Sequence, residues 1–199
     1  MWSGLAIAAD GPVKMVVLGD SLSAGYGLPA GAAFPERLAV ALKAKGIAVE
    51  MINAGVSGDT ASGGLGRLDW SIPDGTEAVI LELGANDVLR GLDPALTKKA
   101  LDDALAKLKE RKITVLLAGM LSPRNMGADY VKNFDAIYPA LAAKYDTILY
   151  PFFLEGIAGD AKLNLPDGLH PTPAGVDVIV KNIMPKVDEL IGRVKAARR

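Results

Sequence analysis

Cysteine is absent from the 199-residue sequence. Cysteine-thiolate catalysis, cysteine-ligated zinc and disulfide staples are therefore excluded, although the compartment is not settled by this. Histidine occurs once, at position 170, so any chemistry that needs an imidazole base has a single candidate. Aromatic residues make up 6% of the chain, too few for an extended stacking surface. Neither sign of charge dominates. The 22 Lys and Arg against 23 Asp and Glu leave a net charge of -1, whereas a nucleic-acid-binding face needs a basic excess. The nearest approach is the C-terminal run Arg193, Lys195, Arg198 and Arg199, which reads as cations complementing the end of a helix. No stretch free of charge and proline reaches the roughly 20 residues that span a bilayer, and stable membrane insertion is not expected.

Half of the residues are apolar, and the chain is long enough to bury one core without metal or disulfide support. One domain is expected over residues 13–199, preceded by a segment, 1–12, of different character. There Leu5 to Ala9 is apolar, closes on small residues and is followed by Asp10. This resembles the tail of a secretory signal without its basic start and most of its apolar stretch. Either it is a signal-peptide remnant, which places the protein in the periplasm or outside the cell, or it is the ordinary apolar N-terminus of a cytoplasmic protein.

Strand-like and helix-like segments then alternate. Val13–Leu18, Ile47–Ile52, Ala78–Leu83, Ile113–Ala118 and Thr147–Tyr150 read as strands. Over Phe34 to Lys45, Phe34, Leu38 and Leu42 recur four apart, with Pro35 near the start and Gly46 after the end, a capped amphipathic helix. A short helix is expected near Ala61–Leu68, and another from Pro94 to about Lys109 with Asp93 as its N-cap. Tyr130–Lys144 reads as helical, with Pro139 forcing a kink or a boundary, and the last helix starts near Pro173 with a second kink at Pro185. Strands that are apolar almost throughout and alternate with helices imply a parallel sheet covered on both faces. In such sheets ligands bind beyond the carboxyl ends of the strands.

Small and polar residues gather at those ends: Gly19-Asp20-Ser21-Leu22-Ser23, then Asn53 to Asp59, then Gly84-Ala85-Asn86-Asp87, and Asp167-Gly168-Leu169-His170-Pro171 before the last helix. Each loop alone is weak evidence, because any strand-to-helix turn uses glycine. A serine hydroxyl needs a neighbouring base to become a nucleophile, and Asp167 lies close enough in a tight turn to orient His170. The same Asp-x-x-His also fits a surface histidine beside a helix start, with Asp167 as a turn residue. Neither a phosphate-binding G-x-x-x-x-G-K-[ST] nor a G-x-S-x-G elbow is present. Asp20, Asp59 and Asp87 read as hydrogen-bond acceptors that order loops rather than as metal ligands.

Taken together, in order and spacing, the four blocks resemble those of the SGNH (GDSL) hydrolases, over Val13 to Leu190. Leu22 to Gly27, Leu81 to Gly84, Leu89-Arg90-Gly91 and Pro151-Phe152-Phe153 are similar to the bacterial thioesterase I/lysophospholipase/arylesterase branch. The resemblance implies a three-layer α/β/α sandwich with a five-stranded, mostly parallel, flavodoxin-like sheet. It implies a serine esterase without a cofactor, acting on small ester, thioester or lysophospholipid substrates. Ser21 would be the nucleophile, His170 the base and Asp167 the carboxylate that orients it. The backbone N–H groups of Ser21 and Gly58 and the Asn86 amide would form the oxyanion hole. Residues Gly84 to Leu92 and Leu121 to Asp129 would wall the substrate cleft, and Pro151 to Phe153 are expected in the core. Two alternatives stand beside this reading: a carbohydrate deacetylase of the same superfamily, and a non-catalytic flavodoxin-type binding module, which an organophosphonate would not label.

Overall fold

A computed structural model describes residues 11–199, so the Leu5–Ala9 reading lies outside the described residues. Strand β1 (Val13–Gly19) leads through α1 (Ser21–Ala24) and α2 (Phe34–Ala44) to β2 (Val49–Gly55). Helices α3 (Ala61–Gly66) and α4 (Leu68–Ser71) precede β3 (Ala78–Glu82), and α5 (Ala85–Leu89) and α6 (Pro94–Glu110) precede β4 (Thr114–Ala118). A 3-10 turn (Arg124–Met126), α7 (Ala128–Asp135) and α8 (Ile137–Tyr145) lead to β5 (Ile148–Tyr150), and α9 (Pro173–Ala197) closes the fold.

The five strands pair in the order β2-β1-β3-β4-β5, every pair parallel. Helices α2 and α9 pack on one face, while α6 and α8 pack on the other. This follows from the right-handed crossover rule: reversing direction along the sheet after β2 moves the connecting helices to the opposite face. The central strand β3 is buried at every residue, whereas the edge strand β2 alternates and leaves Ile52 exposed. Phe34 and Phe153, both fully buried, meet edge to face at 5.0 Å between α2 and the segment after β5. Removing either ring would cost about 3–5 kcal/mol.

Several expected boundaries shift. Strand β2 starts later and runs on through Asn53-Ala54-Gly55, because those residues pair with Val17, Leu18 and Gly19 of β1. Ladder hydrogen bonds there override the turn preference of Asn and Gly. The stretch around Pro139 is two helices that meet at Ala136, with Pro139 in the first turn of the second, where its missing N–H breaks no helical bond. Pro185, by contrast, lies inside one helix. The carbonyl that it leaves without a donor belongs to Lys181, an exposed residue, so water can satisfy it. Asp93 caps α6 as expected, accepting from the Ala95 N–H at 2.9 Å.

Gly19, Gly55, Glu82, Ala118 and Tyr150 form one row across the sheet. Every loop with a candidate functional residue leaves just beyond that row. The direction of the chain along the sheet reverses between β1 and β3, the place where open parallel sheets hold ligands.

Candidate active site

The loop after β1 is compact for steric reasons. A side chain at Gly19 would collide with Ser23 and Glu82, so glycine lets β1 pass under the turn. Asp20 caps α1 by accepting from the Leu22 N–H at 2.9 Å, and Gly25 ends that helix in the left-handed region at φ 83°. Ser21, the first residue of α1, is half-buried and faces a cavity. Ser23, the nearest alternative hydroxyl, is fully buried and donates to Glu82 at 2.7 Å.

His170 approaches from a loop held by its own bonds. The Leu165 N–H donates to the His170 carbonyl at 2.7 Å, and the Asn164 amide donates to the carbonyls of Ile157 and Asp160. Nε2 of His170 lies 2.8 Å from Ser21 Oγ, and Nδ1 lies 2.7 Å from Asp167 Oδ2. Asp167 also accepts the backbone N–H groups of His170 and Leu169 at 3.0 and 2.9 Å. These two backbone donors, with the imidazole third, hold its carboxyl down at about 2. A carboxylate on Nδ1–H leaves the Nε2 lone pair toward the serine hydroxyl, the tautomer a base requires. The Tyr26 ring packs on the imidazole, centroids 4.6 Å apart and tilted by 39°.

Gly58 and Asn86 border the same cavity. Gly58 holds φ 86°, a left-handed conformation natural to glycine, and Arg90 donates to its carbonyl at 2.6 Å. Among the described residues no hydrogen-bond acceptor takes the N–H of Ser21 or of Gly58. Both hydrogens of the Asn86 amide are in use: Nδ2 donates to Asp20 Oδ2 and to the Asp59 carbonyl, each at 2.9 Å. Burial pushes the Asp20 carboxyl up to about 6 against the pull of its donors, Leu22 and Asn86. Behind it Glu82, fully buried, is held well above the usual carboxylate range by burial and by the charge of Asp20. Asp87 accepts from the Ala61 N–H and the Thr97 hydroxyl, and Asp59 from Arg67, so both order the loops as expected.

The cavity has a volume of about 600 Å³. Beyond the polar end at Ser21 its wall is mainly apolar, from Leu22, Val88, Leu89, Met120, Leu121, Phe152, Leu154 and Leu169. Of the two expected walls, Ala85, Asn86, Val88 and Leu89 of the first and Leu121 to Arg124 of the second line it. Pro151 to Phe153 divides: Phe153 is in the core as expected, packed on Phe34, but Phe152 faces the cavity. Arg67 is the site residue that the sequence reading missed, whereas Tyr26 and Arg90 stood inside family-like segments without a role of their own. The glycines around Tyr26 were a usable signal, since two positive-φ turns (Gly25 and Gly27) throw its side chain outward.

The GDSL-like lipase/acylhydrolase family model matches residues 17–178. The chain belongs to this family. It is 39% identical over 170 residues to an arylesterase of Vibrio mimicus, covering 85% of each chain. It is 38% identical over 188 residues to the thioesterase 1/protease 1/lysophospholipase L1 of Escherichia coli K12, covering 92% of this chain and 88% of that one. Among solved structures, the SGNH-hydrolase family esterase AlinE4 superposes with a TM-score of 0.76 at 46% identity, covering 89% of this chain and 96% of the other. The family membership makes this chain a carboxylic ester hydrolase of SGNH fold and sets aside the non-catalytic binding module. Among the described residues no helix is long and apolar enough to cross a membrane.

Proposed function

We propose that Ser21 is the nucleophile of an aryl- or acyl-esterase, with His170 as general base and Asp167 as the carboxylate that orients it. The observation that carries this is the unbroken chain Asp167–His170–Ser21, with bonds of 2.7 and 2.8 Å, at the polar end of an apolar cavity. Ser21 Oγ attacks the ester carbonyl carbon while Nε2 takes the hydroxyl proton. The carbonyl π pair moves onto oxygen and gives a tetrahedral anion. Collapse of that anion breaks the bond to the leaving oxygen or sulfur, which receives the proton from His170. Water, deprotonated by the same ring, then attacks the acyl carbon, and collapse of the second tetrahedral anion releases the acid as His170 returns the proton to Ser21 Oγ. Besides substrate and water, these steps use side chains and backbone groups of the chain.

The N–H groups of Ser21 and Gly58 and the Asn86 amide form the oxyanion hole in this reading, and the free state of both backbone donors supports it. For Asn86, the charge-assisted bond to Asp20 is the stronger of its two and fixes the amide plane. The hydrogen on the neutral Asp59 carbonyl is the one shared with the oxyanion. The apolar wall favours aryl and short-to-medium acyl groups over acetylated sugars, for which Tyr26 and Phe152 are, among the described residues, the phenyl rings that line the cavity. Thioesters and lysophospholipids present the same acyl chain and belong to the same reading. Export to the periplasm or medium rests on the apolar run Leu5 to Ala9, and cell fractionation tests it.

The direct experiment is Ser21→Ala in purified protein with p-nitrophenyl esters of graded chain length, acyl-CoA and acetylated sugars. Turnover should fall by roughly a millionfold, as for loss of a serine nucleophile elsewhere, with the fold intact. An organophosphonate should label wild type but not the variant. Retained aryl-ester turnover in Ser21→Ala refutes the assignment; Ala at Ser23 or Ser57 should leave activity measurable.

A further inference from the structure

We infer that Arg67 is a positioning residue that holds the parts of the oxyanion hole in register. The inference rests on the assignment of Ser21, Gly58 and Asn86 to that hole.

Arg67 stands between α3 and α4, 7% exposed, beneath the rim of the sheet. One guanidinium serves four acceptors. Nε donates to Asp59 Oδ2 at 2.5 Å, Nη2 to the Gly19 carbonyl at 2.8 Å, and Nη1 to the Ala54 carbonyl at 2.8 Å and to Ser71 Oγ at 3.1 Å. Three of the four acceptors lead to a proposed oxyanion donor, and Ser71 ties the guanidinium to α4. Gly19 lies two residues before Ser21, and its carbonyl also receives the Val56 N–H at 3.0 Å, so the exits of β1 and β2 share it. Ala54 is next to last in β2, on the way to Gly58. Asp59 follows Gly58 directly, and its backbone carbonyl carries the second hydrogen of Asn86. A shift of Asp59 therefore moves both the Gly58 peptide and the Asn86 amide.

This geometry requires arginine. Three acceptors in different directions around one plane match the rigid fork of guanidinium N–H groups, whereas an ammonium presents its donors from a single point. Strand carbonyls at the end of a parallel sheet normally find helix N–H groups or water. Here they are collected by one buried cation, whose charge is answered by the Asp59 carboxylate with a side-chain exposure of 19%. Arg67 does not line the cavity, so substrate does not touch it.

The test compares Arg67→Lys and Asp59→Asn, alone and combined, with wild type, at a temperature well below each variant's Tm. Asp59→Asn weakens the same link from the other end, because the amide oxygen accepts from Nε without the carboxylate charge, and carries the test if Arg67→Lys does not fold. The expected result is a fall in kcat of roughly 10- to 100-fold, a fraction of the loss when an oxyanion donor is removed outright. KM should change less than about threefold, and the acid limb of the pH profile should keep its midpoint. Affinity for phenylboronic acid, which adds to a serine oxygen as a tetrahedral anion, should fall with kcat, and the double variant should lose little beyond the worse single one. A folded Arg67→Lys with wild-type kcat overturns the inference. So does a kcat loss without weaker boronate binding, which would mark Arg67 as a stability residue only. Either result leaves the Ser21 assignment standing, whereas activity in Ser21→Ala removes both.

Discussion

On one side of Ser21, Asp167 lies at the surface with a side-chain exposure of 37% and an acidity strengthened to about 2. On the other side, Asp20 and Glu82 are sealed under the nucleophile loop and both titrate high. The number of donors does not by itself explain the contrast, since Asp20 has two against the three of Asp167 and yet shifts in the opposite direction. The difference is solvent. Near water, three hydrogen bonds to Asp167 act almost unopposed. In the interior, desolvation of the charged form outweighs them. The consequence is a division of labour: a carboxylate that stays charged while the imidazole gains and loses its proton, and a floor whose charge depends on pH.

The largest effect that sharpens this contrast is expected from Asp167→Asn. An amide donates toward Nδ1 and favours the wrong tautomer, at a cost of up to roughly 10,000-fold in kcat by the serine-protease template. A smaller loss is expected here, because Tyr26 also holds the ring. The stability that Asp167 contributes is complete above its unfolded value near 4 and is lost as pH falls through about 2. Acid melting curves of wild type should bend in that window, and those of the variant should bend less, since Glu77, Asp102 and Glu189 are also held below the usual carboxylate range and remain in both.

Asn86→Ala should lower kcat by roughly 100- to 1,000-fold with a smaller change in KM. A loss confined to KM would make Asn86 a ground-state binding residue and leave the oxyanion role to the two backbone groups.

Asp20→Asn tests the buried side. The new amide would face the Asn86 amide donor to donor, so kcat should fall by up to roughly 100-fold, less than for removal of the donor itself. Stability should move the other way with pH. A carboxyl raised to about 6 contributes most below its unfolded value near 4, and that contribution is lost as pH rises through about 6. The difference in unfolding free energy between variant and wild type should therefore shift in favour of the variant from pH 4 to pH 7, by on the order of 2–3 kcal/mol. A pH-independent difference would place the ionised form of Asp20 at no disadvantage and break the comparison.

The smallest effect is expected from Glu82→Gln. Glu82 Oε2 accepts from Ser23, and its other oxygen, also buried, has no donor among the described residues. An uncharged carboxyl suits that site, and glutamine imitates it, so kcat should stay within about threefold and Tm nearly unchanged, as for an isosteric polar exchange. A tenfold loss of kcat would show that a negative charge is needed beneath the nucleophile.

Much of the architecture was legible because local periodicity and burial agree. The continuous apolar runs of β1, β3 and β4 are buried because helices cover both faces, and Asp93-Pro94 marks a helix start through capping chemistry alone. Sequence reading failed where pairing overrode propensity, as at Asn53 to Gly55, and where helices were too short to show a period, as at Ser21–Ala24 and Ala85–Leu89. The site followed the same division. Gly-Asp-Ser, the single histidine and Asp167 three residues before it were visible as chemistry in the chain. Arg67 was not, since a lone arginine in a helical stretch carries no pattern, and Arg90 stood out only as part of Leu89-Arg90-Gly91, without a role. The sequence by itself determined which groups are available and the order of the strands that carry them. Tertiary structure decided their states of charge, because a carboxylate's acidity depends on the water and donors around it, and residues 62 positions apart, Asp20 and Glu82, supply each other's surroundings.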